Sequence, residues 1–141
     1  NVTSLASRLP VPFMAAYNAS KAALASFIMS MQLELGDSPV RVVDLQPGDI
    51  STDFNKSVIT SAKADLYGGK IEKTWRRVER NMNKAPGPEL VAQRVLNLIN
   101  AMQPPPRVAV GDVFESKIAP LIFRLLPQRV RIWGLKRYYG I

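Results

Sequence analysis

Neither cysteine nor histidine occurs in the 141 residues. Without Cys there is no disulfide framework, no thiolate nucleophile and no Cys-based metal site. Without His, Ser-His-Asp and Cys-His catalysis are excluded, and the commonest metal ligand is missing. No metal centre is expected, and metal-dependent hydrolysis is the wrong reaction class. No run of eighteen apolar residues exists, so no segment reads as a membrane span. The first ten residues, NVTSLASRLP, lack the charged and apolar regions of a signal peptide. A chain without Cys fits a reducing compartment, and a cytoplasmic location is expected, with membrane-surface contact through the C-terminus left open. There is no initiator Met; Asn1 to Ser4 read like the tail of a buried strand, so a piece of a longer protein is expected. The eight glycines are scattered, with no Gly-rich phosphate turn. Gly68-Gly69-Lys70 lacks the upstream Gly that a P-loop needs.

What is present is ordinary for a globular domain: 47% apolar residues, 21% charged residues and a net charge of +8. That length can bury a core. From Tyr17 the sequence YNASKAALASFIMSMQLELG predicts a helix, with no Pro or Gly before Gly36. Positions i and i+4 lie one above the other on a helix, so Tyr17 and Lys21 share a face. A fixed positive charge beside a phenol favours phenolate, and a Tyr so placed can work as a general acid or base. Leu24, Phe27, Ile28, Met31 and Leu35 are expected to form the packed stripe. Ala15, Ala16, Ala19, Ala22, Ala23 and Ala25 leave room for a close neighbour, within the chain or in a second copy.

Ser4 stands thirteen residues before Tyr17, at the end of a strand-like NVT start. A lone Tyr-x-x-x-Lys is a weak signal, since any helix can carry one. With Ser4 in place, and NVTSLAS and AAYNASKAAL around it, the set resembles the short-chain dehydrogenase/reductase family. The resemblance implies Tyr17 as proton donor or acceptor at a carbonyl or alcohol. It implies Ser4 as the residue that orients that oxygen, and Lys21 as the residue that binds the nicotinamide ribose. A second match follows the strand VRVVDL, expected over Val40, Val42, Val43 and Leu45. There Pro47, Gly48, Ile50 and Thr52 resemble the family's Pro-Gly loop beside the nicotinamide ring. Gly permits close backbone approach, and Ser51, Thr52 and Asp53 suit a helix cap that favours anions.

The expected fold is α/β, a doubly wound parallel sheet of Rossmann type, with residues 1–141 as the C-terminal part of one NAD(P)-binding domain. Residues 53–85 would be a substrate lid. Its cations, among them Lys56, Lys63, Lys70, Lys73 and Arg76, suit an acidic or phosphate-bearing substrate, or else a solvated helix of mixed charge. Pro88 and Glu89 start a helix with Val91, Val95, Leu98 and Met102 buried, followed by a strand over Arg107–Gly111. After Glu115 there is no acid at all, while Lys117, Arg124, Arg129, Arg131, Lys136 and Arg137 alternate with Leu, Ile, Trp and Tyr. This 112–141 tail reads as short helices broken at Pro120 and Pro127. It suits a membrane-surface contact, or a helix that closes the pocket or meets a second copy.

The expected activity is therefore an NAD- or NADP-dependent carbonyl/alcohol oxidoreductase acting on a small hydrophobic molecule, lipid-, sterol- or acyl-like. The family's Gly-rich turn and its catalytic Asn find no match in these residues. The resemblance implies a homo-oligomer through the Tyr17–Leu35 helix, and no nucleic-acid partner is expected. The competing class is an interaction module that kept the fold without the chemistry.

Overall fold

A computed structural model of the chain describes residues 1–54 and 64–141; Lys56 and Lys63 of the expected lid lie outside the described residues. The chain opens on a parallel bridge, Val2 to Leu45, and turns through a 3-10 turn, Leu5–Ser7. Helix α1 runs Ala15–Leu35, strand β1 Asp44–Pro47, α2 Lys70–Met82, α3 Glu89–Ile99 and strand β2 Arg107–Val110. A π-helical turn, Phe114–Ile118, leads into α4, Ala119–Leu125, and α5, Gln128–Tyr139. β1 and β2 pair in parallel, with Asp44 opposite Arg107 and Pro47 opposite Val110. Thr3 N donates to Leu45 O at 2.8 Å and Leu45 N to Asn1 O at 2.9 Å, so the first residues extend the parallel pairing on the other side of β1. The architecture among the described residues is α/β with a small parallel sheet.

Side chains alternate across a strand, and the two faces of this sheet differ. Leu45, Val108 and Val110 are buried on one face, with Val43 and Val91, Val95 and Leu98 of α3 packed against them. Val91, Val95 and Leu98 fall at i, i+4 and i+7, the period of a helix facing a flat surface. The other face is polar. Thr3 donates its hydroxyl to Asp44 Oδ1, while Asp44 Oδ2 accepts from Gln46 Nε2 at 2.8 Å and from Arg107 Nε at 2.9 Å. Thr3, Asp44 and Gln46 are all buried. Ser7 and Arg8, at the end of the 3-10 turn, reach Gln46 from above at 3.4 and 3.5 Å. Burial pushes the Arg8 pKa down, with the cations of Arg107 and Arg124 adding to it and Asp44 opposing. The guanidinium stays charged throughout.

Three sequence expectations need correction. Phe27 is 60% exposed, whereas Ala25 and Ile28 are buried. The covered line runs from half-buried Tyr17 and Lys21 through buried Ala25 and Ile28 to half-buried Gln32, and Phe27 stands about 100° round the helix from Ile28. Against so small a sheet only a narrow stripe is covered. Met102 is 95% exposed because α3 ends at Ile99, so the helical period no longer carries to it. Val40 is exposed and outside β1, which begins only at Asp44, where pairing with β2 starts. Of the six alanines, only Ala25 is buried.

Gly68 and Gly69 carry φ of +55° and +74° at the entry to α2, a left-handed turn that glycine adopts without steric cost. That explains the pair without a phosphate.

The polar face yields a stability test. Asp44→Ala leaves Thr3, Gln46 and Arg107 without their shared acceptor, and the expected loss is about 2–4 kcal/mol. Arg107→Ala should cost less, roughly 1 kcal/mol, because that side chain is partly exposed and screened. Urea denaturation followed by circular dichroism measures both; equal losses would contradict the shared-acceptor account.

Candidate active site

Ser4 leaves the sheet at the carboxyl end of the Val2 pairing and caps the 3-10 turn. Its Oγ accepts from Ala6 N at 3.1 Å and lies 3.5 Å from Pro47 O, to which it donates. The cap fixes where the hydroxyl points, and the long second contact leaves its proton free to move to a better acceptor. Ser4 thus sits directly beside the Pro47–Gly48 turn, although 43 residues separate them.

Tyr17 and Lys21 stand on the first turns of α1. No side chain caps that helix at Met14; instead Asn18 folds back, donating from Nδ2 to Val11 O at 2.8 Å and accepting from Val11 N at 3.3 Å. This clamp holds the Pro-rich approach, in which Phe13 takes a positive φ of 63° and packs edge-on to Tyr67 at 5.3 Å. Lys21 Nζ donates to Val2 O at 3.4 Å and stands 5.8 Å from the Tyr17 ring centroid. The ammonium is therefore held between the sheet edge and the phenol ring, with donors to spare. Phe54 packs on the other side of Tyr17 at 5.4 Å. Among the described residues no hydrogen bond ties the Tyr17 hydroxyl.

Pro47 ends β1, and Gly48 N donates to Val110 O at 2.8 Å. Gly111 packs beside Gly48 with φ of +148°, a backbone conformation that L side chains rarely adopt. The Gly48–Val110 hydrogen bond holds the ends of β1 and β2 together at the turn that leads to Ile50 and Thr52. Thr52 Oγ1 accepts from Phe54 N at 3.4 Å, a short local cap. The helix expected beyond it falls outside the described residues.

Ser4, Tyr17, Lys21, Pro47, Gly48, Ile50 and Thr52 all line one cleft of about 680 Å³. Its walls are mainly apolar: Val78 and Met82 from α2, then Ile122, Phe123, Leu126, Val130 and Leu135 from the C-terminal helices. α2 and α5 are clasped by Asn81 Nδ2, which donates to the Tyr138 hydroxyl at 2.7 Å, and by Arg77 stacked 4.1 Å over the Tyr138 ring. Phe54, Asn81 and Tyr138 were not expected as site residues. Their signal in sequence was only an aromatic or amide among many, and the partner of each lies far along the chain. A second depression, about 420 Å³, lies between the first residues and α3, lined by Val2, Arg41, Val43 and Val95, and holds none of the expected site residues.

The profile of the family described as short chain dehydrogenase matches residues 1–63, the segment that carries Ser4, Tyr17, Lys21 and the Pro-Gly turn. Over these residues the chain is similar to the short-chain dehydrogenase/reductase family, and relatives named for that family match along the rest of it. It is 24% identical, over its whole length, to a 3-ketodihydrosphingosine reductase of Bacteroides thetaiotaomicron, covering 53% of that protein. It is 29% identical over 89% of its length to a dehydrogenase/reductase SDR family protein 7-like of Drosophila melanogaster, covering 35% of it. A third relative, an NADPH-dependent 1-acyldihydroxyacetone phosphate reductase of Schizosaccharomyces pombe, is 35% identical over 55% of the chain and is covered over 27%. The chain spans about half, or less, of the length of these curated relatives.

The α2–α5 clasp is testable. Tyr138→Phe keeps the ring beneath Arg77 but removes the acceptor for Asn81, for an expected loss of about 1 kcal/mol. Amide hydrogen exchange should quicken in α2 and α5 and stay unchanged in β1 and β2; faster exchange in the strands would show that the clasp is not local.

Proposed function

We propose that this chain carries the catalytic half of an oxidoreductase that interconverts a carbonyl and an alcohol with NAD or NADP. One observation carries the reading: residues from three separate segments, Ser4, Tyr17 with Lys21, and Pro47 to Thr52, meet in a single cleft with apolar walls. Chance Tyr-x-x-x-Lys pairs have no reason to bring a Ser and a Pro-Gly turn to the same place.

In the proposed reaction Tyr17 donates its phenolic proton to the carbonyl oxygen as the carbon is reduced, and takes it back in the reverse direction. Ser4 supplies a hydrogen bond to that oxygen, turning its proton away from Pro47 O. Lys21, anchored on Val2 O, uses its remaining donors for ribose hydroxyls and sets its charge beside the Tyr17 ring. The residues fit the nicotinamide end of the cofactor. Pro47, Gly48 and Ile50 form a backbone wall held to β2 by the Gly48–Val110 hydrogen bond, and Thr52 presents a hydroxyl at the rim. A bound nicotinamide supplies or accepts the hydride. The pyrophosphate calls for a Gly-rich βα turn, which these 141 residues do not contain. The activity is therefore proposed for the protein in which this segment is joined to such a turn. The parallel sheet would then continue beyond the Val2 pairing as a doubly wound Rossmann-type sheet, with residues 1–141 as its C-terminal part.

The apolar cleft favours a hydrophobic substrate, lipid-, sterol- or acyl-like, and two relatives are named as reductases of 3-ketodihydrosphingosine and of 1-acyldihydroxyacetone phosphate. α2, which lies within the 53–85 segment read as a substrate lid, serves as one wall of the cleft through Val78, Asn81 and Met82. α1 serves as a contact between protomers of a homo-oligomer. Its exposed Ala15, Ala16, Ala19, Ala22 and Ala23 permit close approach, and Phe27, Met29 and Leu33 are exposed beside them.

Fluorescence titration of NADH and NADPH tests the reading, on this chain and on a protein that includes any upstream coding sequence. Binding is expected where a Gly-rich turn is supplied. There, Tyr17→Phe should keep nucleotide binding and lower turnover by roughly 10²–10⁴-fold, the usual contribution of a general acid. Turnover that survives Tyr17→Phe, or no nucleotide binding by either form, overturns the proposal.

A further inference from the structure

α5 is apolar on two sides, and the fold covers only one of them. Arg131, Gly134, Leu135 and Tyr139 face the cleft. Arg131 there serves structure: Nε donates to Leu126 O at 2.7 Å and Nη2 to Arg124 O at 3.0 Å, filling the open carbonyls at the end of α4. At 100° per residue, Arg129, Ile132, Trp133, Lys136 and Arg137 fall together on the opposite side, and all of them are exposed. Trp133 is 64% exposed, with cations at i−4, i+3 and i+4 around it. α4 repeats the pattern. Leu121 and Leu125, at i and i+4, are exposed, Leu125 to 76%, with Lys117 and Arg124 beside them.

We infer that the outer faces of α4 and α5 are a docking surface for an anionic phospholipid bilayer. Charge chooses this occupant. From Ser116 to Ile141 there are Lys117, Arg124, Arg129, Arg131, Lys136 and Arg137 and no acid. A second copy meeting this face through a two-fold axis would set these cations against themselves, at a cost of like-charge repulsion. Nucleic acid would accept the cations and leave Leu121, Leu125, Ile132 and Trp133 unused. An anionic bilayer uses both, with Trp at headgroup level, apolar side chains just below and Lys and Arg at the lipid phosphates. No described helix is long and apolar enough to cross a membrane, so the contact lies at the surface. The placement also matters for the cleft. Ile122, Val130 and Tyr138 line it and are at the same time exposed. If the cleft is the active site proposed above, a lipid entering from a docked bilayer would pass these residues. The docking itself stands without that reading.

Vesicle flotation without nucleotide tests it, using the whole chain with phosphatidylcholine vesicles and with phosphatidylcholine vesicles containing phosphatidylserine. Binding is expected to the anionic vesicles, with neutral ones bound roughly tenfold more weakly or worse, and high salt should release the chain. Leu125→Ser with Trp133→Ser should lower binding roughly tenfold or more, and so should Arg129→Glu with Lys136→Glu. All four positions are exposed, and circular dichroism checks that the fold is kept. Absence of vesicle binding, or binding that both variants leave unchanged, overturns the inference. So does a dimer in sedimentation that Leu125→Ser with Trp133→Ser dissociates, which gives the face to a second copy, and so does a labelled oligonucleotide bound in place of vesicles. Because the assay holds no nucleotide, its failure is separate from any failure of the dehydrogenase reading.

Discussion

Asp44 lies buried at the start of β1, and three otherwise separate pieces of chain are joined through its carboxylate. Thr3 comes from the first pairing segment, Gln46 from β1 itself, and Arg107 from the start of β2. A carboxylate taken out of water is costly unless its oxygens are filled, so the three segments can pack side by side only with these donors in place. The partly exposed Arg107 supplies the charge, and the neutral Thr3 and Gln46 complete the shell. The site inherits its geometry from this arrangement. Ser4 follows Thr3 by one residue, Pro47 follows Gln46 by one, and the Gly111 beside Gly48 follows the end of β2.

The opposite face of the sheet is held by simple burial. Leu45, Val108 and Val110 exclude water against α3 and ask for little precision. The polar face does the reverse: it contributes less area and more directional constraint. A sheet built this way is anchored by packing on one side and registered by hydrogen bonds on the other. The cleft opens at the carboxyl end of the strands, where α/β sheets place their ligands. Its walls, α2 and the C-terminal helices, are tied to each other through Asn81, Arg77 and Tyr138.

Much of this was legible from local pattern. The helix at Tyr17–Leu35 announced itself by composition, β2 by Arg107–Val110 between Pro and Gly, and the inward face of α3 by the spacing of Val91, Val95 and Leu98. What escaped were features that depend on a partner. Phe27 belongs to a plausible helical stripe, yet the sheet opposite is too narrow to cover it. Asp44 carries no such signal in VRVVDLQ, because two of its three donors lie 41 and 63 residues away in sequence. Ser4 was legible only by its distance from Tyr17; that it caps a turn against Pro47 could not be read, since the cap depends on a turn that forms only when strand and loop meet.

The sequence by itself determined which chemistry is available. With no His or Cys, imidazole and thiolate chemistry are excluded, and the spacing of four between Tyr17 and Lys21 puts them on one helix face whatever the rest of the chain does. It also determined the basic, acid-free C-terminus, which is a matter of composition alone. Only the tertiary structure decided that Ser4, Tyr17, Lys21 and the Pro47–Thr52 turn share one cleft. It alone decided, too, which side of α5 faces that cleft and which side is left uncovered. Helical and strand periods act over a few residues and can be read locally. A cleft is made by contacts between segments tens of residues apart, and burial, unlike periodicity, is a property of the assembled fold.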